Sequence, residues 1–191
     1  MAAMSMEMIS AVGFSSVGKG VAISDKASFY GAERISIGDN VRIDDFCVFS
    51  AGVGGIQIGS NVHVAVFVSI IGAGSVIVSD FVNLSSRVSI YSSNDDYSGA
   101  ALTGPALPSK YTNIRSADVY LGKHVIVGCG SIVLPGVSLG EGVAIGALSL
   151  VNKDCSEFGV YAGNPLRFVK ERKRDLLALE RQFLDAISSK G

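Results

Sequence analysis

Aliphatic residues recur at a fixed interval of six positions along much of the chain. In the second half the series is unbroken, and it consists of Leu121, Val127, Val133, Leu139, Ile145 and Val151. Glycine follows most of them, and a small or β-branched residue comes four positions after each. A period of six matches neither the turn of an α-helix nor the two-residue alternation of an ordinary strand. The pattern therefore predicts a short strand and a bend, repeated many times.

The same register is present in the first half of the chain. Its aliphatic positions are Val17, Ile23, Ile37, Ile43, Ile58, Val64, Ile70, Val78, Leu84 and Ile90. Three such segments close a triangular coil of about 18 residues, so that Cys129 stacks over Ala147 and Val133 over Val151. Stacking stabilises coils that cannot bury their apolar side chains alone. We expect a parallel β-helix, because six consecutive matches in one phase disfavour the alternative, a β-sandwich with frequent turns.

Two segments frame the repeat. Residues 1–16 precede the first coil and include a candidate short helix at residues 6–12. Residues 157–191 form a tail in which Asn164-Pro165 ends the coils. The spacing of apolar residues after this proline, beginning with Phe168 and Val169, predicts an amphipathic helix as far as Ser188.

The predicted β-helix spans residues 17–156 and is interrupted once. Residues 94–119 form a long insertion with turn-forming residues at Thr103-Gly104-Pro105 and Pro108. A loop of this length inside a compact domain is usually functional. The sequence therefore places the candidate site near the insertion.

Composition narrows the functional classes. The formal net charge is −1, which does not indicate a nucleic-acid or membrane partner. No signal peptide is evident, and the apolar stretch at residues 64–78 is too short to span a bilayer. The three cysteines, Cys47, Cys129 and Cys155, form no CxxC motif. We expect them to be small buried or half-buried residues in a reducing compartment, which predicts a cytoplasmic protein.

Two segments carry a resemblance to a known family. The run LGKHVIVGCGSIVLPGVSLGEGVAIGALSLVNKD and the later VYAGNPLRFVKER resemble the hexapeptide-repeat acyltransferases. The resemblance implies an all-β fold: a left-handed parallel β-helix with a long loop insertion and a C-terminal α-helix. It also implies a homotrimer with sites between subunits and acetyl-CoA or another acyl-CoA as co-substrate, with no metal. The segment SIYSSNDDYSG is similar to members that acylate amino sugars on nucleotide carriers for surface polysaccharide synthesis.

The acceptor is predicted from a missing histidine. Asn94 stands where the sugar O-acetyltransferases of the family carry their catalytic base, and asparagine cannot accept a proton near neutral pH. His124 is expected to be a structural turn residue, and His63 lies at a similar bend. A sugar hydroxyl must lose its proton as it attacks a thioester, whereas a neutral amine is already nucleophilic. We therefore expect N-acylation, with O-acetylation in the manner of the galactoside and maltose enzymes as the alternative.

The catalytic residues are predicted at the mouth of the insertion, and they are Asn94, Asp95 and Asp96. One carboxylate is expected to orient the amine. Neighbouring carboxylates also raise one another's pKa. Turn formation is the structural alternative for the pair. The predicted substrate-binding residues are Ser86, placed about one coil before the loop, and Ser93, Asp44 and His63.

The coenzyme A residues follow from the resemblance, and they are Cys129, Ala147, Asn152, Lys153, Arg167 and Lys170. The pantetheine arm is expected to pass the backbone of the first two, where a larger side chain would block it. The next two would meet the nucleotide end, and the last two would pair with phosphate oxygens. A solvated helix face is the alternative for this basic pair. Cys129 is not predicted to be a nucleophile.

Two other classes of β-helix protein fit less well. A zinc-dependent hydratase needs three histidine ligands from neighbouring chains, and this chain has only two histidines. A structural or ice-binding β-helix needs regular exposed ladders, and no repeated threonine column is present. The sequence therefore favours an acyl-CoA-dependent sugar acyltransferase.

Overall fold

The computed structural model describes residues 2–189, which form a parallel β-helix with three flat faces. Each coil contributes one short strand to each face in turn. Corner 1/2 joins face 1 to face 2, corner 2/3 joins face 2 to face 3, and corner 3/1 leads into the next coil. The predicted parallel β-helix is confirmed.

Face 1 is built from parallel strands stacked in chain order. They are β1 (Ser16–Val17), β4 (Ile35–Ile37), β7 (Ile56–Ile58), β10 (Val76–Val78), β15 (Val119–Leu121) and β18 (Ser138–Leu139). Face 3 is built in the same way. Its strands are β3 (Ser28–Tyr30), β6 (Val48–Ala51), β9 (Ser69–Gly72), β12 (Ser89–Tyr91), β17 (Ile132–Val133) and β20 (Leu150–Val151).

Face 2 is the longest face and ends in an antiparallel strand. Its strands are β2 (Ala22–Ile23), β5 (Arg42–Ile43), β8 (His63–Val64), β11 (Asn83–Leu84), β16 (Ile126–Val127), β19 (Ala144–Ile145), β21 (Gly159–Ala162) and β22 (Arg167–Glu171). The remaining elements lie outside the faces. They are α1 (Met6–Val12), α2 (Leu176–Ser188), the loop strands β13 (Ser93–Asn94) and β14 (Arg115–Ser116), and 3₁₀ turns at Ala32–Arg34 and Ser109–Tyr111.

The aliphatic repeat forms the core. The repeating residues of the second half are all buried inside the coils, with Leu121 and Val127 fully inaccessible to solvent. Val133 pairs with Val151 on face 3, as the 18-residue spacing predicts. Burial of these side chains from every coil gives one continuous apolar interior, which is the main source of stability in such a fold.

The predicted coil length is correct only for the last coils. In the first half Ile43 pairs with Val64, 21 positions later, and Val64 pairs with Leu84, 20 positions later. The additional residues lie at corner 3/1, for example at 52–55, because the other two corners keep the six-residue spacing. The insertion at residues 94–119 leaves the β-helix from this same corner.

The stem of the insertion is fixed to the preceding coil. Ser92 is fully buried, and its hydroxyl donates a 2.8 Å hydrogen bond to the carbonyl of Gly74. Its own carbonyl accepts from the amides of Gly74 and Ala117. A Cβ at Gly72 would lie 2.3 Å from the Ser92 hydroxyl oxygen, so this close approach requires glycine. Both ends of the loop are therefore held at one point of the β-helix.

The tail differs from the single helix predicted after Pro165. Residues 167–171 form strand β22, which pairs antiparallel with β21. Phe168 packs edge-on against the Tyr161 ring with centroids 5.5 Å apart, so its apolar ring contributes to the packing of the sheet. The prediction of a helix over Phe168 and Val169 is wrong, and α2 begins at Leu176. No helix among residues 2–189 is long and apolar enough to cross a membrane.

Helix α2 packs on corner 1/2 through a polar cluster and through aromatic contacts. His124 has a left-handed backbone (φ 60°), and its ring stacks on Phe81 at 5.0 Å. Glu180 of α2 receives a 2.5 Å hydrogen bond from Lys123 and contacts Nε2 of His124 at 2.8 Å. The Lys123 hydrogen bond is the main reason that the pKa of Glu180 is lowered, although burial opposes it. His124 is thus a structural turn residue, as expected.

Candidate functional site

Corner 2/3 brings predicted acceptor and coenzyme residues into one line. The amide of Gly130 donates to the carbonyl of Ser86 at 3.0 Å, and the amide of Leu148 donates to the carbonyl of Cys129 at 2.9 Å. Ser86, Cys129 and Ala147 therefore lie on successive coils, about 4.8 Å apart. The sequence predicted the stacking of Cys129 and Ala147, and the structure extends this column to Ser86.

The three cysteines do not share one environment. Cys47 and Cys155 are buried, and burial raises the pKa of each thiol to about 11. Cys129 is exposed at corner 2/3, so the prediction of a buried or half-buried residue is wrong for this cysteine. Its position at the bend, one residue after Gly128, turns its side chain away from the core. All three thiols lie within residues 2–189, and none of them forms a disulfide.

The other predicted coenzyme residues fall into two groups. Arg167 pairs with Ala162 at the end of face 2, next to the C-terminal end of corner 2/3, while Lys170 pairs with Val160 farther along that face. Asn152 and Lys153 follow β20 and lie at corner 3/1. All four side chains are exposed. Arg167 therefore stands at the corner 2/3 edge of face 3, and Asn152 and Lys153 stand at its corner 3/1 edge.

Strand β12 connects Ser86 to the mouth of the insertion. Ser86 precedes this strand at corner 2/3, and Asn94 follows it at corner 3/1. Both residues thus belong to the same coil, and the prediction that Ser86 lies about one coil before the loop is wrong. The predicted catalytic residues and Ser86 stand at the two ends of a single three-residue strand.

Asp96 is occupied by the loop itself. Its carboxylate accepts hydrogen bonds from the amide and hydroxyl of Ser98 and from the amides of Ala100 and Ala101. The side chain is only 7% exposed. The Ser98 hydrogen bonds are the main cause of a lowered pKa, so the prediction that neighbouring carboxylates raise one another's pKa is wrong for Asp96. The turn-forming alternative describes this residue better.

Asp95 accepts fewer hydrogen bonds than Asp96. It is half-buried, and one of its oxygens accepts a single long hydrogen bond, 3.3 Å from the amide of Gly104. Asn94 is exposed and pairs with Arg115 across the β13–β14 ladder. These residues line a small open cleft of about 160 Å³ together with Tyr97 and Ser98. The cleft offers one accessible carboxylate and one cation.

Ser93 has a structural contact that the sequence did not reveal. Its hydroxyl oxygen accepts a 3.2 Å hydrogen bond from the amide of Ala73 on the preceding coil. The hydroxyl hydrogen is not used in this contact, and the side chain is half-buried. Ser93 therefore supports the loop stem while its donor stays available.

Asp44 and His63 form a polar cluster on face 2, beside corner 2/3. Asp44 lies 2.9 Å from Nε2 of His63 and accepts a 2.7 Å hydrogen bond from Arg42. Burial opposes ionisation of Asp44, but the hydrogen bonds of His63 and Arg42 outweigh it and lower its pKa. The second ring nitrogen of His63 lies 3.2 Å from the Asn83 side-chain oxygen. Both predicted substrate residues are thus brought together, and both already have partners.

One feature of corner 2/3 was missed by sequence reasoning. Phe46, Phe67 and Arg87 occupy the bend on three successive coils, and all have left-handed backbone conformations. Glycine or asparagine is the usual choice at such a bend. The sequence signal was the presence of large side chains at a position of the repeat that normally takes small ones.

No group of three potential metal ligands occurs among residues 2–189. The polar groups at the candidate site are carboxylates, hydroxyls, amides and cations. This set is suited to organic substrates that carry phosphate and amine groups.

Comparison with known proteins identifies the family. No protein-family model matches the chain. The chain is 62% identical over 172 residues to a dTDP-4-amino-4,6-dideoxy-D-glucose acyltransferase of Escherichia coli, covering 90% of each protein. The N-acyltransferase AntD of Bacillus cereus, crystallised with dTDP and 3-hydroxybutyryl-CoA, superposes with a TM-score of 0.93 at 45% identity. That superposition covers 97% of this chain and 98% of AntD. The chain is a hexapeptide-repeat acyltransferase.

The comparison confirms the predicted left-handed β-helix of this acyltransferase and its use of acyl-CoA. A more distant relative is the putative lipopolysaccharide biosynthesis O-acetyl transferase WbbJ of Escherichia coli K12. It is 30% identical over 151 residues, covering 78% of the acyltransferase and 74% of WbbJ. The AntD structures also include variants in which an aspartate, or a serine ten positions before it, has been replaced.

Proposed function

We propose that this acyltransferase moves the acyl group of an acyl-CoA to the amine of a nucleotide-linked amino sugar. The observation that carries the proposal is the cleft at the loop mouth, which offers the accessible carboxylate of Asp95 and is lined by Asn94 and not by a histidine. Two of its relatives, the dTDP-4-amino-4,6-dideoxy-D-glucose acyltransferase and the N-acyltransferase AntD crystallised with dTDP, support the same acceptor.

The chemistry requires little base strength. The amine nitrogen attacks the thioester carbonyl, a C–N bond forms, the C–S bond breaks, and coenzyme A leaves as its thiolate. Asp95 orients the amine by accepting its N–H and takes the proton released after attack. That proton then neutralises the leaving thiolate. Positioning of the two reactants is the main contribution of the protein.

The structure favours Asp95 over Asp96 for this role. The oxygens of Asp96 already receive the loop hydrogen bonds, so an amine would have to displace them. The two replaced AntD positions are ten residues apart. This spacing occurs twice here, between Ser85 and Asp95 and between Ser86 and Asp96, so it fits either aspartate. Because the loop already uses the oxygens of Asp96, we assign Asp95 to the amine and Asp96 to the conformation of the loop.

The remaining acceptor residues have supporting roles. Ser86 offers a hydroxyl at the other end of β12. Asn94 and Ser93 supply neutral hydrogen-bond donors at the loop mouth. Asp44 and His63 lie on face 2 beside corner 2/3, the corner that carries Ser86. Their paired side chains bind polar groups of the sugar or the nucleotide there.

The coenzyme is proposed to lie along the C-terminal half of corner 2/3. Its pantetheine arm passes the backbone of Cys129 and Ala147, and Arg167 and Lys170 pair with its phosphates. Asn152 and Lys153 stand at the opposite edge of face 3. A neighbouring subunit that turns its corner 3/1 toward this corner 2/3 would bring them to the coenzyme, and would bring its own Asp95, which also lies at corner 3/1, to the acceptor.

This arrangement supports a homotrimer with sites between subunits. Large exposed apolar side chains flank face 3, with Leu148 78% exposed at corner 2/3 and Val53 92% exposed at corner 3/1. Contact between subunits would bury such residues. We further propose that the enzyme is cytoplasmic, where acyl-CoA is available, and serves surface polysaccharide or lipopolysaccharide synthesis.

Release of coenzyme A thiol from acetyl-CoA tests the function. The acceptors are nucleotide-linked amino sugars in one set and galactosides and maltose in the other. Turnover with the amino sugars alone supports the proposal. Turnover with the hydroxyl sugars alone contradicts it and makes His63 the next candidate for the base.

A further inference from the structure

A stack of four large side chains covers the N-terminal half of corner 2/3. The rings of Phe46 and Phe67 are stacked, with centroids 5.2 Å apart and planes at 13°. Arg87, one coil onward, lies over the Phe67 ring at 5.6 Å, and Lys26, one coil back, lies over the Phe46 ring at 5.4 Å. The ring edges remain open, since the two phenylalanines are 48% and 47% exposed. These four residues, Lys26, Phe46, Phe67 and Arg87, form the aromatic stack.

The backbone of the aromatic stack is held in an unfavourable conformation. The φ angles of Phe46, Phe67 and Arg87 are 60°, 63° and 61°. Residues with a Cβ avoid this region, and glycine would relieve the strain at each bend. Large side chains retained there on three successive coils point to a use for the side chains themselves.

Corner 1/2 shows what a similar stack does elsewhere in this molecule. Phe81 and His124 also have left-handed backbones, with φ of 59° and 60°, and their rings also stack. Helix α2 covers them, since Phe183 packs edge-on against Phe81 at 6.0 Å and Glu180 contacts His124. There the strained large residues form a docking surface. The aromatic stack at corner 2/3 has the same construction, and its ring edges are left open by residues 2–189.

Position indicates what occupies the aromatic stack. Arg87 directly follows Ser86, at the point on corner 2/3 where the acceptor sugar is proposed to lie. The coenzyme residues Cys129 and Ala147 lie on the C-terminal side of that point. The nucleotide of the acceptor is therefore left with the N-terminal side, where Phe67 and Phe46 follow at about one and two coil spacings.

Charge indicates the same occupant. Arg87 is exposed and makes no salt bridge within residues 2–189, so its guanidinium is available to a phosphate. Guanidinium groups bind phosphate oxygens through paired N–H donors. Lys26, by contrast, is shared with Asp45 at 3.5 Å. An apolar strip next to one uncommitted cation fits a base joined to a diphosphate.

We infer that the aromatic stack binds the nucleoside diphosphate half of the acceptor. Arg87 holds the diphosphate, and the base lies against the ring edges of Phe67 and Phe46 in edge-to-face contact. This inference rests on the proposed function and adds to it the residues that recognise the nucleotide.

The absence of tryptophan from the chain allows a direct test. Phe67→Trp places a single indole within the aromatic stack, and Leu148→Trp places one on the coenzyme half of the same corner. Both variants are titrated as full-length protein with deoxythymidine diphosphate, with ribose 5-phosphate and with coenzyme A. We expect deoxythymidine diphosphate to change the emission of Phe67→Trp saturably, ribose 5-phosphate to leave it unchanged, and Leu148→Trp to respond to coenzyme A only.

A second pair of variants tests the cation without altering the rings. Arg87→Ala should raise the KM for the nucleotide-linked acceptor about tenfold, through loss of a charge-assisted contact, and leave the KM for acyl-CoA within about twofold. Arg181→Ala, an exposed arginine on α2, is the charge-matched control and should change neither.

The outcomes separate this inference from the proposed function. If acyl transfer to the amino sugar proceeds while Phe67→Trp ignores the nucleotide and Arg87→Ala keeps its acceptor KM, the inference is overturned and the function stands. If the emission of Phe67→Trp changes when the protein is diluted and does not change when nucleotide is added, a second copy covers the aromatic stack. That result also overturns the inference. If no variant and no wild-type protein acylates an amino sugar, the proposed function fails and takes this inference with it.

Discussion

The amide of Gly130 donates a 3.0 Å hydrogen bond to the carbonyl of Ser86, although the whole insertion separates the two residues in the chain. Corner 2/3 therefore continues without a break past the loop. Its N-terminal half carries Ser86 and the aromatic stack, and its C-terminal half carries Cys129 and Ala147. This continuity is what the proposed function requires, because it lets the proposed donor and acceptor sites meet end to end on one edge of the molecule.

Cys129 should report coenzyme binding. A thiol-specific alkylating reagent at mildly alkaline pH should label this exposed cysteine rapidly. Cys47 and Cys155 should react slowly, because they are buried and their pKa values are about 11. Mass spectrometry should find one label per native chain, and saturating coenzyme A should slow the labelling. Cys129→Ser is the control that should remove the fast label. Equal labelling rates with and without coenzyme A would remove Cys129 from the coenzyme path.

The two carboxylates at the loop mouth should behave differently. Asp95→Asn should lower kcat by about 100-fold or more, because the amide cannot take the proton, with little change in the KM for acyl-CoA. Asp96→Asn should loosen the segment that its carboxylate organises. Its effect should therefore appear as faster proteolysis within the insertion and a raised KM for the acceptor. Wild-type turnover by Asp95→Asn, together with an inactive Asp96→Asn whose loop is intact, would reverse the assignment.

Arg167 should contribute to coenzyme affinity. Arg167→Ala should raise the KM for acyl-CoA about tenfold with kcat nearly unchanged, because a phosphate contact is the same in the ground and transition states. Lys173→Ala removes an equal charge from an exposed position in the same tail and should have little effect. Steady-state kinetics with acyl-CoA varied would decide the point, and identical KM values for wild type and Arg167→Ala would exclude the contact.

Docking of α2 should depend on pH. The pKa of Glu180 is lowered below its ordinary value of 4.5, chiefly by the hydrogen bond from Lys123. A carboxyl whose pKa is lower in the folded state stabilises that state above its unfolded pKa, and the contribution is lost as the pH falls through the folded value. The melting temperature should therefore drop below about pH 4.5.

A variant isolates this effect from general acid denaturation. Glu180→Gln should lower the free energy of unfolding at neutral pH by about 1.5–3 kcal/mol, the usual range for hydrogen bonds to a charged group. The substitution should also reduce the fall in melting temperature at acid pH. Asp185→Asn makes the same charge change on an exposed part of α2 and should leave both nearly unchanged. Matching melting curves for Glu180→Gln and wild type would show that this cluster does not hold the helix.

Much of the fold could be predicted because its signal is local and repeated. The aliphatic residue at every sixth position has to point inward in each coil, and Val133 over Val151 follows from that alone. The coil length could not be derived in the first half, because residues added at corner 3/1 leave the inward positions intact. The β22 strand was mistaken for helix because Phe168 and Val169 fit a helical spacing by chance.

The site was only partly predictable. The loop mouth was predicted as the site because Asn94, Asp95 and Asp96 combine chemistry with a break in the repeat, and the structure brings these three residues into one cleft. The different states of the two carboxylates could not be read from the sequence, because they depend on which one the loop amides reach. The aromatic stack was missed because large side chains at the bend were its only signal in the sequence, and their strain becomes visible only when φ is known.

The bond that joins the acyl group to the sugar in the product decides between N-acylation and O-acylation. A nucleotide-linked sugar that carries one amine and free hydroxyls is acylated from labelled acetyl-CoA, and the product is treated with alkaline hydroxylamine, which cleaves oxygen esters. If the enzyme acylates the amine, the label stays on the sugar, since an amide resists this treatment. Loss of the label as the hydroxamate would reveal an ester and contradict N-acylation.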